Sequence, residues 1–91
     1  MKTVHLKITG RVQGVWYRAW TRETALSLGL AGWVRNRLDG SVEAVVQGDE
    51  TAVDQLIKKC WDGPTAARVD LVEVSDTDEK VKTGFAQEKT V

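Results

Sequence analysis

Residues 10 to 18 read GRVQGVWYR and combine two glycines, four residues apart, with a closing arginine. If this stretch leads from a strand into a helix, its amides converge ahead of the helix, where unpaired N–H groups and the helix dipole favour an anion. Arg18 would add a forked, permanently charged donor that pairs two phosphate oxygens at once. On the loop alone, a phosphate site and a plain glycine turn with a surface arginine fit equally well. The predicted phosphate-binding residues are Val12, Gln13, Gly14, Val15, Trp16, Tyr17 and Arg18.

Three known ways of doing phosphate chemistry are not supported by the residues. The Gly-Lys-Ser/Thr of a Walker loop is missing, and the loop holds no cysteine that could supply a thiolate nucleophile. Cys60 instead falls on the apolar stripe of a predicted helix, which indicates a core residue. Asp76-Thr77-Asp78 is similar to the DxD of aspartyl-phosphate enzymes, but it lies in a charged turn and is interpreted as solvated. The loop is therefore predicted to hold phosphate without a nucleophile of its own.

Histidine and carboxylate groups near the loop are equally scarce. His5 is the only histidine, and on the predicted first strand it faces away from Val4, Leu6 and Ile8. Neither a histidine triad nor a multi-histidine metal site can be built from it. Because no carboxylates cluster near the loop either, we expect a metal-independent mechanism and no cofactor.

A second informative stretch, GWVRNRLDGSVEAVVQG, occupies residues 32 to 48. Its strand pattern places Asn36 on the same face as Val34 and Leu38. A buried amide needs hydrogen-bond partners, so Asn36 is either a satisfied structural residue or a group that positions a polar ligand or a water. Its position alone favours the structural interpretation.

The four tryptophans do not form a surface for nucleic acid. Trp20 is predicted in the core, Trp33 and Trp61 are predicted to cover sheet or helix ends, and Trp16 could contact a ligand's acyl group or shield the loop. No ladder of strand aromatics alternates with basic residues, as base stacking by an RNA-recognition sheet requires. With 13 basic and 13 acidic residues, the chain also lacks the basic excess typical of nucleic-acid binding.

The composition is that of one small globular domain, predicted over residues 1 to 91. The hydrophobic fraction is 42% and the charged fraction 29%. Cys60 is the only cysteine, so no intrachain disulfide can form, and a reduced, cytoplasmic location is predicted. The N-terminus alternates instead of running apolar, which predicts neither a signal peptide nor a membrane span. We expect a monomer that binds no membrane.

Hydrophobic periodicity places the loop between a strand and a helix. Residues 3 to 9 alternate as a half-buried strand that ends near Gly10, and residues from Tyr17 onward follow a helical pattern that ends at a Gly29 cap. Residues 31 to 38 and 41 to 47 are strand-like. The Asp39-Gly40 pair between them predicts a two-residue type I′ hairpin.

The second half of the chain continues this alternation of elements. Asp49 is expected to cap a helix whose apolar stripe includes Val53 and Cys60, and residues 62 to 64, Asp-Gly-Pro, end it. A strand follows over residues 67 to 74, with a β-bulge between Val69 and Val72 because the alternation slips there. Residues 81 to 87 could form a short edge strand.

The predicted order is β-α-β-β-α-β plus a short fifth strand. This order predicts an α+β, split βαβ sandwich, with both helices on one face of an antiparallel-dominated sheet. Right-handed crossovers bring the first and third strands together at the centre.

Together, GRVQGVWYR and GWVRNRLDGSVEAVVQG resemble the two signature segments of the acylphosphatase family. The resemblance extends through LGLAGW, QGDE, GPTAARV and the region of Phe85, so it covers nearly the whole chain. It implies a ferredoxin-like sandwich with core strand order 4-1-3-2. It also implies hydrolysis of acyl phosphates to a carboxylate and inorganic phosphate, with phosphate-like anions as product or inhibitor.

By motif position, the resemblance implies that Arg18 binds phosphate and that Asn36 orients the attacking water. The sequence departs from the family twice. Tyr17 stands where phenylalanine is usual, so its hydroxyl must find a partner, and the last strand lacks the arginine often seen there. Two alternatives are a non-catalytic anion-binding or partner-binding module of the same fold and the accessory domain of larger maturation proteins. Retention of both Arg18 and Asn36 favours the enzyme, and a chain of 91 residues argues against the accessory domain.

Overall fold

A computed structural model describes residues 1 to 91, which form five strands and two helices. The elements are β1 (Lys2–Arg11), α1 (Tyr17–Ser27), β2 (Ala31–Asn36), β3 (Val42–Gly48), α2 (Glu50–Cys60), β4 (Arg68–Asp76) and β5 (Phe85–Gln87). The strand order in the sheet is β4-β1-β3-β2-β5, in which only β2 and β5 run parallel. The predicted ferredoxin-like α+β fold, with β1 and β3 at the centre, is confirmed.

The alternation of apolar and polar residues along β1 decides which face of the sheet the helices cover. Val4, Leu6 and Ile8 have no exposed surface, and they pack in one core of 17 buried residues with apolar residues of both helices. Burying an aliphatic side chain of this size contributes about 1.5–3 kcal/mol, so three in one strand hold the helices firmly against that face. Neither helix is long and apolar enough to cross a membrane.

Helix α1 ends at its predicted cap, and helix α2 begins at its predicted cap. Gly29 has a left-handed backbone with φ 73°, its N–H donates to Leu26 O, and the N–H of Leu30 reaches Ala25 O at 2.9 Å. These two bonds form a Schellman motif, which stops α1. At the start of α2, Asp49 Oδ2 accepts a hydrogen bond from the N–H of Thr51 at 3.1 Å, as the capping prediction requires.

The turn between β2 and β3 differs from the prediction. The two-residue type I′ turn at Asp39-Gly40 needs a left-handed backbone at both residues, yet only Gly40 has one, with φ 94°. The N–H of Gly40 donates to Arg37 O at 3.1 Å, and the N–H of Arg37 donates to Ser41 O at 2.8 Å. The loop therefore spans residues 38 to 40, with glycine in the left-handed position, and the type I′ prediction is wrong.

The Asp39 carboxylate explains the longer turn. Its Oδ1 accepts hydrogen bonds from both the N–H and the hydroxyl of Ser41, at 2.9 and 2.6 Å. These bonds tie Asp39 to the residue two positions ahead, as in an Asx turn, and they lower the pKa of Asp39 to about 2. As a result β2 ends at Asn36, and Leu38, predicted to continue the strand, lies 86% exposed at the tip.

The predicted bulge lies in β4 at Asp70. Thr9 pairs with Leu71 and Gly10 with Val69, so one residue of β4 has no partner. Gly10 is required there because its φ is 124° and a Cβ would collide with the carbonyl of Arg68. The chain can therefore leave β1 close to β4 and enter the loop that precedes α1.

The C-terminal segment covers the other edge of β2. Strand β5 begins only at Phe85, not at residue 81 as predicted, because Gly84 with φ 91° turns the chain immediately before it. Beyond β5, the N–H of Glu88 donates to Val34 O at 2.8 Å and the N–H of Val91 to Asn36 O at 3.3 Å. The end of β2 that carries Asn36 is thus held from both sides.

Candidate active site

The loop from β1 to α1 and the end of β2 enclose an open cleft of about 290 Å³. The residues that line it are Val12, Gly14, Trp16, Tyr17, Arg18, Ala19, Asn36 and Gln87. The structure therefore brings Arg18 and Asn36 to one cleft, together with four further residues of the predicted loop. Gln87 was not predicted, because β5 lies far from both motifs in the sequence.

The backbone amides around this cleft are unusual. None of the eight consecutive N–H groups from Val12 to Ala19 donates a hydrogen bond within the protein, and the first helical bond runs from Trp20 N to Trp16 O at 2.9 Å. Helix α1 also has no side-chain cap and no acidic residue in its first turn, whereas α2 has both. The positive end of the α1 dipole is therefore left uncompensated, which favours an anion there.

Side chains of the loop anchor it to the core. Val12, Val15 and Tyr17 are buried, while Gly14 and Trp16 between them are exposed. Gly14 and Trp16 both have left-handed backbones, with φ 73° and 71°. Since these three side chains are buried in the core, the loop can present backbone to the cleft without losing its attachment.

The Gln13 side chain fastens the loop to the hairpin next to Asn36. Its Nε2 donates to Arg37 O at 2.7 Å and to Ser41 O at 2.9 Å, so both amide hydrogens are used. The sequence predicted Gln13 only as one of the loop residues. No local signal could have shown this contact, because the acceptors are backbone carbonyls 24 and 28 residues away.

Arg18 is a partly exposed cation in the first turn of α1. It forms no ion pair and no hydrogen bond within the protein. By contrast, Arg35 and Arg37 both contact Glu43 on the outer face of the sheet, at 2.7 and 3.3 Å. Of these three arginines, Arg18 alone has its full set of donors available to an anion in the cleft.

Asn36 lies on the opposite side of the cleft. Its Oδ1 is the single buried side-chain oxygen or nitrogen without a hydrogen-bond partner in the protein. Leaving a buried acceptor unpaired costs about 1–3 kcal/mol, so a purely structural asparagine would be expected to have a partner. The observation favours the other sequence interpretation, in which Asn36 positions a polar ligand or a water.

The Tyr17 hydroxyl, the first departure from the family pattern, has a partner. It donates to the backbone carbonyl of Cys60, the last residue of α2, and it is buried. Burial raises the pKa of the Cys60 thiol to about 11, so the thiol stays protonated near neutral pH and is not a nucleophile. Cys60 is a core residue, as predicted.

We expect Tyr17→Phe to lower the free energy of unfolding by about 1 kcal/mol, because the Cys60 carbonyl would lose its side-chain donor. In urea, the unfolding midpoint should fall while the slope stays constant. Tyr17→Leu serves as the matched comparison: it also removes the ring that lies 5.4 Å from the Trp20 ring, so it should cost clearly more. Equal stability of the phenylalanine variant and the parent would show that the hydroxyl contributes nothing to the fold.

The remaining tryptophans and the histidine lie outside the cleft. Trp20 is only half-buried and packs against the edge of the core, Trp61 is 46% exposed after α2, and Trp33 packs under the Arg35 guanidinium at 4.5 Å. His5 Nε2 lies 2.6 Å from Glu43 Oε2 on the outer face of the sheet, away from Val4 and the core as predicted. Asp76 and Asp78 are exposed to solvent.

A model of the acylphosphatase family matches residues 4–87 of the chain. The chain belongs to the acylphosphatase family. It is 52% identical to the acylphosphatase of Rhodospirillum rubrum over 91 residues, which is 100% of both chains. The solved acylphosphatase structure from Coxiella burnetii matches with a TM-score of 0.92 and 32% identity, over 96% of this chain and 92% of that one. The solved structure of the Bacillus subtilis acylphosphatase matches with a TM-score of 0.91 and 30% identity, over 97% of this chain and 99% of that one.

Membership of the acylphosphatase family confirms three of the sequence predictions: the family itself, its fold and an enzymatic function. The substrates of an acylphosphatase are acyl phosphates, and inorganic phosphate is a product. The alternative of a non-catalytic binding module is accordingly not adopted. The roles of Arg18 and Asn36 within the cleft remain predictions.

Proposed function

We propose that the protein hydrolyses the carboxyl–phosphate bond of acyl phosphates without a metal ion, holding the phosphoryl group with the residue 12–18 loop and Arg18 and orienting water with Asn36. One observation supports this most strongly. Most of the loop residues with unpartnered amides, the arginine without an ion pair, and Asn36, whose buried side-chain oxygen has no donor within the protein, all line a single cleft.

In this mechanism, the loop and Arg18 bind the phosphoryl oxygens. Amides at a helix start and a guanidinium fork are complementary to a tetrahedral dianion, because they offer several N–H donors from different directions. The same donors stabilise the charge that is spread over the equatorial oxygens in the transition state. Since Gln13 fastens the loop to the hairpin, these donors are held in place before substrate binds.

Asn36 acts on the attacking water. Its side-chain amide lies at the cleft, where it can hydrogen-bond that water and so turn an oxygen lone pair toward phosphorus, in line with the bond to the leaving oxygen. The Asn36 backbone is fixed by β3 on one side and by Val91 on the other. The rigid end of β2 therefore defines the position of the attacking water.

The leaving group explains why no acid or base is needed in the cleft. A carboxylate departs from phosphorus without a proton from the enzyme, because it is the conjugate base of a strong enough acid. No Asp, Glu, His or Cys lines the cleft. The proton lost by the attacking water can pass to an oxygen of the substrate's own phosphate.

We also propose that the enzyme acts in the cytoplasm as a single-domain monomer, binding neither nucleic acid nor membrane. The zero net charge of the chain and its single, buried cysteine support this setting.

Hydrolysis of benzoyl phosphate in ¹⁸O-labelled water tests the mechanism. We expect the same rate with and without a chelator, competitive inhibition by inorganic phosphate, and the label in phosphate, because water attacks phosphorus. Loss of activity with chelator, restored by added Mg²⁺, would refute the metal-free mechanism. Label in benzoate would mean attack at the carbonyl carbon and would refute the role given to Asn36.

A further inference from the structure

Trp16 has a conformation and an exposure that the fold does not explain. It is the one non-glycine residue with a left-handed backbone, at φ 71°, a region that a glycine occupies without strain. Its side chain gains nothing from the core, because 80% of the residue is exposed. A large aromatic held in this way, on the rim of a binding cleft, points to a contact with ligand.

The position of Trp16 in the cleft indicates which part of the ligand it would meet. Asn36 and Gln87 line the cleft from the sheet, whereas Trp16, Arg18 and Ala19 line it from the loop and the first turn of α1. In an in-line displacement, the leaving carboxylate departs on the side of phosphorus opposite the attacking water. With water on the side of Asn36, the acyl group extends toward the loop and α1.

The chemistry of that side selects the kind of acyl group. The indole of Trp16 and the methyl group of Ala19 are apolar, and Arg18 is the only charged residue that lines the cleft. If Arg18 is engaged by the phosphoryl group, a charged acyl group finds no further partner there. A flat aromatic acyl group can cover the indole face, whereas an acetyl group is too small to cover much of it.

We propose that Trp16 is the acyl-binding surface of the cleft and makes the enzyme prefer acyl phosphates with an aromatic or large apolar acyl group over acetyl phosphate. This inference rests on the proposed function, since it assumes that phosphate is held by the loop and Arg18. It assigns a substrate class to a site whose other contacts would all be made to phosphate or water.

The test compares kcat/KM for benzoyl phosphate and acetyl phosphate in the parent, Trp16→Phe and Trp16→Gly. Glycine is chosen because it adopts φ 71° without strain and so removes the ring with little demand on the loop backbone. We expect the benzoyl-to-acetyl ratio to fall by about tenfold in the glycine variant and to stay within about threefold of the parent value in the phenylalanine variant. An unchanged ratio in Trp16→Gly, or an equal loss with both substrates, would overturn the proposal.

A binding measurement separates this proposal from the mechanism itself. Benzoylphosphonate and acetylphosphonate carry a carbon–phosphorus bond in place of the carbon–oxygen–phosphorus linkage that is cleaved, so calorimetry reports their affinity without turnover. The parent should prefer benzoylphosphonate, and Trp16→Gly should lose that preference. Equal affinities of the parent for both analogues would refute the acyl surface alone. No binding of either analogue or of inorganic phosphate would refute the phosphate site and the acyl surface together.

Discussion

Replacing Arg18 with alanine is expected to lower kcat/KM for benzoyl phosphate by about 10³ or more. The guanidinium forms no ion pair within the protein, so all its donors are available to the phosphoryl oxygens. Because it would contact these oxygens in the ground state and in the transition state, the affinity for the phosphoryl group and kcat should both fall. Inhibition by inorganic phosphate should therefore weaken together with turnover.

Two further variants serve as comparisons for Arg18→Ala. Arg18→Lys keeps the charge but loses the planar fork, so it should recover only part of the loss. Arg11→Ala removes the same charge from an exposed residue that does not line the cleft, and its kcat/KM should stay within about twofold of the parent, since exposed charges act weakly at a distance in salt. An unchanged inhibition constant for phosphate in Arg18→Ala would contradict the binding role.

The second large effect is expected for Asn36→Ala, which should lower kcat by about 10² to 10³. Phosphate inhibition should change little, because the loop and Arg18 would still hold the anion. The free energy of unfolding should stay within about 1 kcal/mol of the parent or rise, since no internal hydrogen bond of Oδ1 is lost and an unpaired buried acceptor is removed. This combination separates an orienting role from a structural one.

Asn36→Asp provides the matched comparison, because it keeps the shape and replaces the amide with a carboxylate. Its negative charge should repel the phosphoryl group, so this variant should lose phosphate binding as well as rate. If purified Asn36→Ala hydrolysed benzoyl phosphate as fast as the parent, Asn36 would not orient the water. A large fall in stability would instead support the structural interpretation of this residue.

Local patterns in the sequence determined the framework of the protein. The alternation of Val4, Leu6 and Ile8, the Gly29 cap and the Asp49 cap each depend on neighbours within a few residues, so periodicity and capping rules were sufficient. The slip in alternation around Asp70 likewise marked the bulge in β4. Where two local preferences competed, at Asp39-Gly40, the carboxylate bonds to Ser41 prevailed over the dipeptide preference.

The site was only partly visible in the sequence. Residue type and motif position singled out the loop, Arg18 and Asn36, but they left open whether Asn36 was satisfied within the fold. Only the tertiary structure decided that Asn36 Oδ1 is unpartnered, that Gln13 joins the loop to the hairpin, and that the Tyr17 hydroxyl bonds to Cys60. Such contacts join groups 24 to 43 residues apart, and their geometry is set when the sheet and both helices pack together, so no local pattern contains it.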